Sequence, residues 1–522
     1  MTSLDAVALN RRGERRLPTV CFVIPPSAFL LDERVFMSLG ILKVAAVCER
    51  EGYEVEVLDL SGVENYLEAL ATHVKSTSAR HFGLTSTTPQ MPAAAQAVET
   101  IRLMRPDARV ILGGPHPTLV NAARRSEVKA GTVGRATRAF EHLLELADVV
   151  VAGDGEDAIL LALADDAPAL IDADDPASQL FLTNERFAAS PFPARHLVDV
   201  SSYHYKIDGF EATSLIAQLG CPFACGFCGG RQSPMLRRIR MRGTESVLRE
   251  LEHLHRSYGF RGFMFYDDEL NVNPNLVELM DGITDLQTRL GTTFRLRGFV
   301  KSELFTEAQA AAMYRAGFRW LLVGFESGSP RILENINKKA SRADNSRCVE
   351  IARRHGLKVK ALMSVGHPGE SPQTIAETQD WLLEVKPDDF DVTIITTYPG
   401  TPYFDRAVPD PQRANVWIYT QPKTGDRLYA EEVDYLRTAD YYKGDPNGGY
   451  RSFVFTDHLT PEQLVALRDG VEREVRRVLD IPFNPGAEKV HYEHSMGQSG
   501  PLPPSILRRT RPSPAATAVV TG

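Results

Sequence analysis

Short apolar runs alternate with amphipathic segments through the first 160 residues of the chain. The amphipathic segments, such as residues 39–51 and 93–104, repeat their apolar positions every three or four residues, as one face of a helix does. The apolar runs are each followed by Gly, Pro or Ser, and they predict strands at residues 19–24, 54–60, 81–85, 108–112 and 147–152. This alternation is typical of βαβ units in a doubly wound parallel sheet, whose ligands bind at the carboxyl ends of the strands.

A second alternating series begins near residue 211. Its apolar runs predict six strands, at residues 214–219, 262–266, 294–300, 320–325, 358–365 and 391–397. Six β/α units in succession predict a partial or full TIM-like β/α barrel, with its chemistry at the carboxyl ends of the strands. We therefore expect an α/β protein with two parallel-sheet domains.

The remaining segments differ in composition. Residues 165–210 are rich in Ala, Asp and Pro and predict a linker between the domains. After residue 410 comes an aromatic-rich segment, whose side chains either close the barrel mouth or pack against the barrel, and then one helix with Thr460 as N-cap and Gln463 completing a capping box. We expect domains at 18–164 and 211–410, a small mixed capping region at 411–482, and disordered ends at 1–17 and 483–522.

Composition and charge narrow the class of protein. The 522 residues carry 59 Lys and Arg against 67 Asp and Glu, a net charge of −8, so no broad basic surface suggests nucleic-acid binding. A hydrophobic fraction of 43% with 24% charged residues suits a globular enzyme. No apolar run reaches the roughly 18 residues of a membrane span, and the start of the chain lacks the apolar core of a secretory signal. We expect a cytoplasmic protein.

The sharpest chemical signal is a group of three cysteines directly after the first strand of the second series. Cys221, Cys225 and Cys228 have the spacing C-x3-C-x2-C, and six cysteines in all are too few for a disulfide scaffold. Three thiolates in one loop could hold three irons of a cubane cluster and leave the fourth iron open. The alternatives are buried structural cysteines or a structural zinc ion, which wants four ligands and finds only His204 upstream.

This motif resembles that of the radical S-adenosylmethionine (SAM) superfamily, including the aromatic Phe227 before the last cysteine. Other segments resemble the subgroup with an N-terminal cobalamin-binding domain. In chain order they are FYDDE at 265–269, RGFVK at 297–301, GFESGS at 324–329, GHPGES at 366–371 and YPGTP at 398–402. The resemblance extends over roughly residues 18–410.

The resemblance implies a 4Fe–4S cluster held by the three cysteines, with SAM on its open iron. One electron from the cluster, supplied by a donor such as flavodoxin or ferredoxin, would cleave SAM to methionine and a deoxyadenosyl radical. The radical would then take a hydrogen atom from a small-molecule substrate. The candidate contacts of this SAM site are Phe227, Asp267, Asp268, Arg297, Glu326 and Ser327, each of which could instead be an ordinary surface or ion-pair residue.

The first domain then resembles a Rossmann-like cobalamin-binding domain. Small residues at its strand ends let the backbone approach a large flat ring. The candidate cobalamin contacts are Ser27, Leu39, Gly40, Thr85, Ser86, Thr87, Gly113, Gly114, His116, Gly153, Asp154, Gly155 and Glu156. The D-x-H-x-x-G motif, whose His replaces the lower cobalt ligand, is absent. The alternatives are dinucleotide binding at 153–158, which fits G-x-G-x-x-A but follows the last strand, and a scaffold that has lost its cofactor.

The three other cysteines do not suggest a second cluster. The related tRNA methylthiotransferases bind one through three N-terminal cysteines, whereas this chain has only Cys21 and Cys48 there, and no cysteine follows Cys348. We expect all three to be small, buried core residues.

With cobalamin present, the leading reaction is methylation. The resemblance implies that one SAM methylates cobalamin, a second yields the radical, and methylcobalamin delivers its methyl group to an unactivated carbon of a natural-product intermediate or lipid. The same architecture also serves cyclisation, ring contraction and rearrangement, and the barrel motifs do not separate these reactions. A non-catalytic cobalamin carrier or sensor is the alternative of another class, but it would need no cysteine motif.

Overall fold

The computed structural model describes residues 18–27, 33–438 and 451–482, so the ends at 1–17 and 483–522 lie outside the described residues. The strands are β1 (Thr19–Ile24), β2 (Glu54–Asp59), β3 (His81–Thr85), β4 (Arg109–Gly113), β5 (Val149–Gly153), β6 (Leu170–Ala173), β7 (Lys206–Ile207), β8 (Phe210–Leu215), β9 (Gln218–Leu219), β10 (Arg240–Met241), β11 (Gly262–Phe265), β12 (Arg295–Phe299), β13 (Phe318–Glu326), β14 (Lys358–Val365), β15 (Asp389–Ile394), β16 (Val408–Pro409), β17 (Val416–Thr420), β18 (Arg427–Glu431) and β19 (Val454–Thr456). The α-helices are α1 (Leu39–Arg50), α2 (Tyr66–Ser76), α3 (Met91–Met104), α4 (Pro115–Lys129), α5 (Arg135–Leu146), α6 (Gly155–Ala162), α7 (Asn184–Ala189), α8 (Pro234–Arg237), α9 (Thr244–Tyr258), α10 (Leu276–Leu290), α11 (Glu307–Ala316), α12 (Pro330–Asn335), α13 (Arg342–Arg354), α14 (Pro372–Val385), α15 (Pro402–Asp405) and α16 (Pro461–Leu479).

The first sheet is parallel, with the order β2-β1-β3-β4-β5-β6. Its central strand β1 is buried on both faces: Phe22 packs with residues of α1 and α6, and Val23 packs with residues of α2 and α3. The doubly wound sheet predicted from the alternation is confirmed. The segment expected to be a linker contributes the sixth strand, β6, so that expectation is wrong for residues 170–173.

The second sheet has the order β15-β14-β13-β12-β11-β8-β7. Six of its strands are parallel: β8, β11, β12, β13, β14 and β15. Strand β7 is antiparallel to β8. Since β15 and β7 lie at opposite ends of the row and do not pair, the sheet is an open, partial barrel, as predicted. The first of the six strands was expected at 214–219 and lies at Phe210–Leu215, because the chain bends there into the short β9.

Side chains alternate between the two faces of the half-barrel. Phe263, Phe265 and Val323 belong to the large core beneath the helices. The alternate side chains of these strands, such as Met264 and Leu322, point to the barrel interior. They form a smaller apolar cluster with Tyr205. The interior is therefore lined by a different set of side chains from the helical core.

The C-terminal region forms a four-stranded antiparallel sheet, β16-β17-β18-β19, followed by α16. The predicted cap of α16 is confirmed, because Gln463 N donates to Thr460 Oγ1 at 3.3 Å and Thr460 N donates to Gln463 Oε1 at 2.9 Å. Arg468 of α16 donates to the Val392 carbonyl of β15 at 2.6 Å, so the helix covers the last barrel strand. In the described ranges, no helix has the length and apolar character to cross a membrane.

The aromatic residues of this region contact one another and also residues at the end of the barrel. The Tyr429 and Phe455 rings stack with centroids 4.9 Å apart, and Tyr435 contacts the Thr397 carbonyl. Tyr441, Tyr442 and Tyr450 of the same aromatic-rich segment lie outside the described residues.

Candidate active site between the two sheets

The cysteine loop leaves β9 through a turn that only glycine fits. Gly220 has φ +88°, and a Cβ on it would lie 2.2 Å from the Arg238 carbonyl oxygen. Backbone hydrogen bonds then hold the loop: Cys221 N donates to Leu236 O at 2.9 Å, and Gly226 N donates to Ile336 O at 2.7 Å. The protein itself therefore fixes the path of the three-cysteine motif.

The three motif thiols are spread too widely for a single ion. In the described part of the chain, the one group of three Cys, His, Asp or Glu ligand atoms that all lie within 4.8 Å of one another is formed by other residues. A zinc ion with Zn–S bonds of about 2.3 Å needs its sulfur ligands closer together than this limit. The structural-zinc alternative for Cys221, Cys225 and Cys228 thus finds no support in the loop geometry.

Side chains at the loop are both accessible and surrounded by protein. Cys228 is exposed and Tyr266 keeps 43% of its surface accessible. Burial nevertheless raises the pKa of Cys228 to about 11 and that of Tyr266 to about 12. Both observations hold when a side chain faces an internal space large enough for water. The loop therefore borders a solvent-accessible recess of the half-barrel that is surrounded by protein, which is called the chamber below.

Two buried lysines supply positive charge to the loop. Lys301 Nζ lies 4.2 Å from the centre of the Phe223 ring, within the cysteine motif, and donates to the Lys338 carbonyl at 3.1 Å. Burial raises the pKa of Cys225, while Lys338 and Lys301 lower it. Positive charge beside the thiols favours their thiolate form, which is the form that binds iron.

Glu326 anchors a buried network at the end of β13. Its backbone has φ +67°, and the strand register shifts beside it. Glu326 Oε1 accepts from Lys338 Nζ at 3.2 Å, and Oε2 accepts from Ser364 Oγ at 2.8 Å. Ser364 Oγ also lies 2.8 Å from His367 Nε2, and burial lowers the pKa of His367 to about 3, so this imidazole is neutral. The predicted SAM contact Glu326 is thus held firmly at the chamber edge.

The other predicted SAM contacts are placed differently. Asp267 is buried and accepts from the amides of Ala217 and Gln218, so its carboxylate braces the approach to the cysteine loop. Asp268 is exposed towards the loop, and Ser327 Oγ is buried 3.0 Å from Thr378 Oγ1. Direct contact of these three side chains with SAM stays a prediction.

Phe227 and Arg297 have different neighbours. The Phe227 ring is 5.3 Å from the His367 ring. Arg297 is buried in the barrel interior, donates to Tyr205 OH at 2.8 Å and lies over the Trp320 ring at 5.2 Å. A role for either residue in binding SAM also stays a prediction.

Two buried polar atoms near the chamber have no hydrogen-bond partner within the described ranges, Gln218 Oε1 and Ser329 Oγ. Gln218 lies three residues before the cysteine motif, and Ser329 ends the GFESGS segment. Buried polar atoms are normally paired, so orphans here fit a polar ligand in the chamber. The thiols, the accessible recess beside them and these unpaired polar atoms together fit a cluster that carries SAM.

A large apolar cavity lies at the carboxyl ends of the first sheet. It encloses about 1060 Å³ of space outside protein atoms, its open mouth included. Eight predicted cobalamin contacts line it: Gly40, Thr85, Gly113, Gly114, Gly153, Asp154, Gly155 and Glu156. The remaining wall is mainly aliphatic and aromatic, which suits the flat face of a large organic ring.

Glycines bring the backbone close together at the cavity floor. Gly114 has φ +100°, and a Cβ there would lie 2.6 Å from Thr85 Oγ1. Gly153 has φ +99°, and its Cβ would lie 2.2 Å from Asp174 N. On α1, by contrast, a Cβ on Gly40 would meet no atom within 4 Å. The cavity is therefore a cradle that a side chain at residue 40 would begin to fill, as expected for a cofactor site.

Five predicted cobalamin contacts are not among the residues that line this cavity. Ser86 Oγ donates to Met91 Sδ, Thr87 caps the turn that contains Gln90, and Ser27 N donates to Glu33. Leu39 packs with Met37, Leu42 and Tyr203. His116 is buried 3.0 Å from Thr88 Oγ1, and burial lowers its pKa to about 3. Their contact with cobalamin is a prediction that the cavity lining does not support.

The charged groups at the cavity are already paired. Lys43 Nζ lies 3.7 Å from Glu156 Oε1 and 4.4 Å from the centre of the Phe187 ring. Asp154 forms a buried ion pair of 2.5 Å with Arg240 of the second sheet region, and burial raises its pKa to about 6, although Arg240 opposes this rise. The Asp154 carboxylate therefore joins the two parts of the molecule.

The cysteine loop and the cavity share one wall. Leu219, two residues before Cys221, lines the cavity, and so does Leu236, whose carbonyl accepts the Cys221 amide. On the other side of the loop, a Cβ on Gly229 would lie 3.3 Å from Leu119 of α4. The predicted cluster site and the predicted cobalamin site are thus neighbours.

Residues 215–382 match the family model of the radical SAM superfamily, and residues 33–144 match that of the B12 binding domain. The chain is a cobalamin-binding radical SAM enzyme. Its cofactors are a 4Fe–4S cluster, SAM and cobalamin, as the cysteine motif and the strand-end glycines predicted.

Curated relatives of this cobalamin-binding radical SAM enzyme include methyltransferases and a cyclase. An uncharacterized methyltransferase of Pyrococcus horikoshii is 26% identical over 399 residues, which cover 74% of this chain and 83% of the relative. The anaerobic magnesium-protoporphyrin IX monomethyl ester cyclase of Cereibacter sphaeroides is 24% identical over 360 residues, or 65% of this chain. The chain spans only 54% of the length of the cyclase.

Among solved structures, the radical SAM methyltransferase TsrM from Kitasatospora setae has a similar fold. Its structure with cobalamin and a 4Fe–4S cluster aligns with a TM-score of 0.63 at 18% identity, covering 92% of this chain and 96% of TsrM. Its structure with tryptophan substrate and a SAM analogue aligns with a TM-score of 0.64 and covers 94% of this chain. At this identity, the likeness shows the shared architecture of the two enzymes.

Several residues of the site were not predicted from the sequence. Lys338 belongs to none of the quoted motifs. Tyr398 and Tyr403, in and just after YPGTP, brace the loop: a Cβ on Gly229 would lie 2.7 Å from the Tyr398 ring, and one on Gly226 would lie 3.1 Å from the Tyr403 ring. Only the YPGTP motif gave a signal for these contacts.

Proposed function

We propose that the chain transfers a methyl group to an unactivated carbon of a small molecule. One observation carries this proposal: Leu219 and Leu236 form a wall common to the cysteine loop and the cobalamin cavity. A substrate in the chamber beside that wall would lie near both cofactors. When bound, the cluster with SAM supplies a radical that activates carbon, and cobalamin supplies a methyl carrier.

The residues of this chain would set the geometry and charge of the reaction. Cys221, Cys225 and Cys228 would hold the cluster, and Lys338 would balance negative charge beside it. Glu326 is fixed by Lys338 and Ser364 and would orient a polar part of SAM. With cluster, SAM and substrate bound, the chamber would hold little water, which would protect a reactive intermediate from side reactions.

An aromatic wall in the chamber supports a substrate with an apolar or flat face. Phe36, from the segment before α1, lies 4.5 Å from the Tyr205 ring and 5.6 Å from the Tyr266 ring. Tyr266 in turn lies 6.3 Å from Phe299 of β12. Both sheet regions contribute to this wall. It favours the natural-product or lipid substrates that the resemblance implies over small, highly charged metabolites.

The likeness to a cyclase favours a second candidate, a cobalamin-dependent cyclisation, ring contraction or rearrangement that uses the same residues. A non-catalytic cobalamin carrier or sensor would leave the cysteine loop and its lysines without a role.

We also propose that flavodoxin or ferredoxin supplies the electron to the cluster. A reducing compartment such as the cytoplasm is proposed as the place of the reaction, because all six cysteines are free thiols.

The test is an anaerobic incubation of the reconstituted enzyme with SAM that carries a deuterated methyl group, a reductant and a panel of aromatic and lipid substrates. Methylation predicts a product whose mass increases by one labelled methyl group. The Cys225→Ala variant should give no product. A changed product without the labelled methyl group would favour cyclisation or rearrangement. Full function in Cys225→Ala would indicate a carrier or sensor.

A further inference from the structure

Three metal-ligating side chains meet in the first sheet, away from the cofactor cavity. Cys21 of β1 and Glu56 of β2 are direct partners in the parallel register, and His73 lies in the last turn of α2. Cys21 Sγ is 3.5 Å from His73 Nε2, which is 3.0 Å from Glu56 Oε2. The three ligand atoms all lie within 4.8 Å of one another. Cys21 packs with the α2 and α3 side of the sheet, whereas the cavity opens towards α1 and α6.

The arrangement differs from a catalytic relay. In a Cys–His–Glu relay, one ring nitrogen faces the sulfur and the other faces the carboxylate. Here the same atom, His73 Nε2, faces both Cys21 and Glu56. One nitrogen, one sulfur and one oxygen directed at a common point is instead the arrangement of ligands around an ion.

The distances suit a tetrahedral metal. An ion that binds sulfur at about 2.3 Å and imidazole nitrogen at about 2.0 Å holds these two atoms roughly 3.5 Å apart, which is the distance between Cys21 Sγ and His73 Nε2. The Glu56 oxygen is slightly closer to the nitrogen than a bound ion requires, and a small side-chain rotation would correct this. Thr77 Oγ1 donates to Glu56 Oε2 at 2.6 Å and would orient the carboxylate.

The types of ligand atom and the partial exposure of the site favour zinc. Mixed thiolate, imidazole and carboxylate ligands suit Zn²⁺, which tolerates all three. Cys21 is fully buried, whereas His73 and Glu56 keep 28% and 32% of their side chains exposed. An ion could therefore enter from solvent, with a water molecule as fourth ligand. We propose that Cys21, Glu56 and His73 bind zinc, which would tie edge strand β2 and helix α2 to central strand β1.

The experiment measures zinc in the complete enzyme after cluster and cobalamin loading, so that the motif thiols are already occupied. The tag-free protein is incubated with zinc chloride, gel-filtered, and analysed for zinc, iron and cobalt. We expect one bound zinc per chain in the wild type. In His73→Ala and in Glu56→Gln, the bound zinc per chain should be at least about tenfold lower. Iron and cobalt should be unchanged in both variants. Zinc should raise the melting temperature of the wild type alone.

Cys48→Ala is the matched control for Cys21→Ala, which should lose the zinc, because Cys48 is also a fully buried cysteine of the first sheet region but lies outside the cluster. It should retain the zinc. His73→Ala and Glu56→Gln alter side chains that are about a third exposed, so the test does not depend on the folding of a Cys21 variant. The extended X-ray absorption fine structure of the bound zinc should show one sulfur neighbour at about 2.3 Å. Wild-type protein that retains no zinc, or equal zinc in His73→Ala, would overturn the proposal.

Discussion

Gly40 controls, at the scale of a single residue, how much of the cofactor cavity is open. It lies on α1, borders the cavity, and leaves space where a side chain would project. We predict that Gly40→Leu folds, since leucine favours a helix more than glycine does, but that its affinity for cobalamin falls by tenfold or more, about 1.4 kcal/mol. Cobalt content after gel filtration measures this loss.

Gly470→Leu is the control for this substitution. Gly470 is also a helical glycine whose Cβ would meet no atom within 4 Å, but it lies in α16, away from the cavity. It should bind cobalamin as the wild type does. Equal cobalamin in the two variants would contradict the assignment of the cavity.

Glu370 predicts a pH dependence of stability. It is buried, accepts from Thr374 Oγ1 at 2.5 Å and from Gly366 N at 3.2 Å, and burial raises its pKa to about 7. A carboxyl whose pKa is raised on folding stabilises the fold below its ordinary pKa, and this contribution is lost as the pH rises through 7. Between about pH 5 and pH 8, the wild type should lose roughly 3 kcal/mol relative to Glu370→Gln. The melting temperatures of the wild type and of Glu370→Gln are measured at several pH values. If both change with pH by the same amount, the prediction is wrong.

Sequence motifs could predict which residues lie at the site, but they could not predict which other side chains those residues contact. The glycines at 113–114 and 153–155 follow strands, and this position alone predicts that they border the cavity. Asp154 belongs to the same motif, yet its carboxylate pairs with Arg240, 86 residues away. Lys338 and Cys21 likewise gain their chemistry from residues distant in sequence, so no local pattern could predict their contacts.

At the scale of elements, the turn between β9 and the cysteine loop determines whether a cluster can form. Gly220→Ala would place a Cβ within 2.2 Å of the Arg238 carbonyl and disfavour φ +88°. We predict that this variant incorporates less than about a tenth of the wild-type iron, because the cysteines no longer converge. Iron and sulfide analysis after reconstitution tests this.

Gly209→Ala is matched to it. Gly209, in the β7–β8 turn, has φ +82°, but a Cβ there meets no atom within 4 Å. It carries the same backbone strain, of about 1–3 kcal/mol, without the clash, and should keep its iron. Equal iron in both variants would show that the Gly220 contact is unimportant.

Elements with strong local periodicity were predictable, whereas those that depend on distant pairing were not. The five predicted strands of the first sheet and the six of the half-barrel are present with small shifts of their ends. Strand β6 has only four residues and is defined by its pairing with β5. The antiparallel strands β16 to β19 are likewise short and separated by loops, so their sheet could not be inferred from the chain. The domain limits 18–164 and 211–410 remain our proposal.

In the whole molecule, a buried ion pair between Arg240 and Asp154 joins the two sheet regions. Arg242, in the same basic run, pairs with the buried Glu250 of α9 within the second region. Asp154→Asn or Arg240→Met should each cost about 3–5 kcal/mol, because each leaves the partner charge unpaired. The double variant should melt above either single variant. Additive losses would argue against direct coupling.

The cluster and the cobalamin should lie side by side across one wall of residues. Electron paramagnetic resonance of the enzyme with the reduced cluster and divalent cobalt measures this proximity, since two unpaired spins at short range broaden and split each other's signals. We expect interacting spectra in the wild type and an isolated cobalt signal in Cys225→Ala. Two independent, unperturbed signals in the fully loaded wild type would show that the two cofactors lie apart.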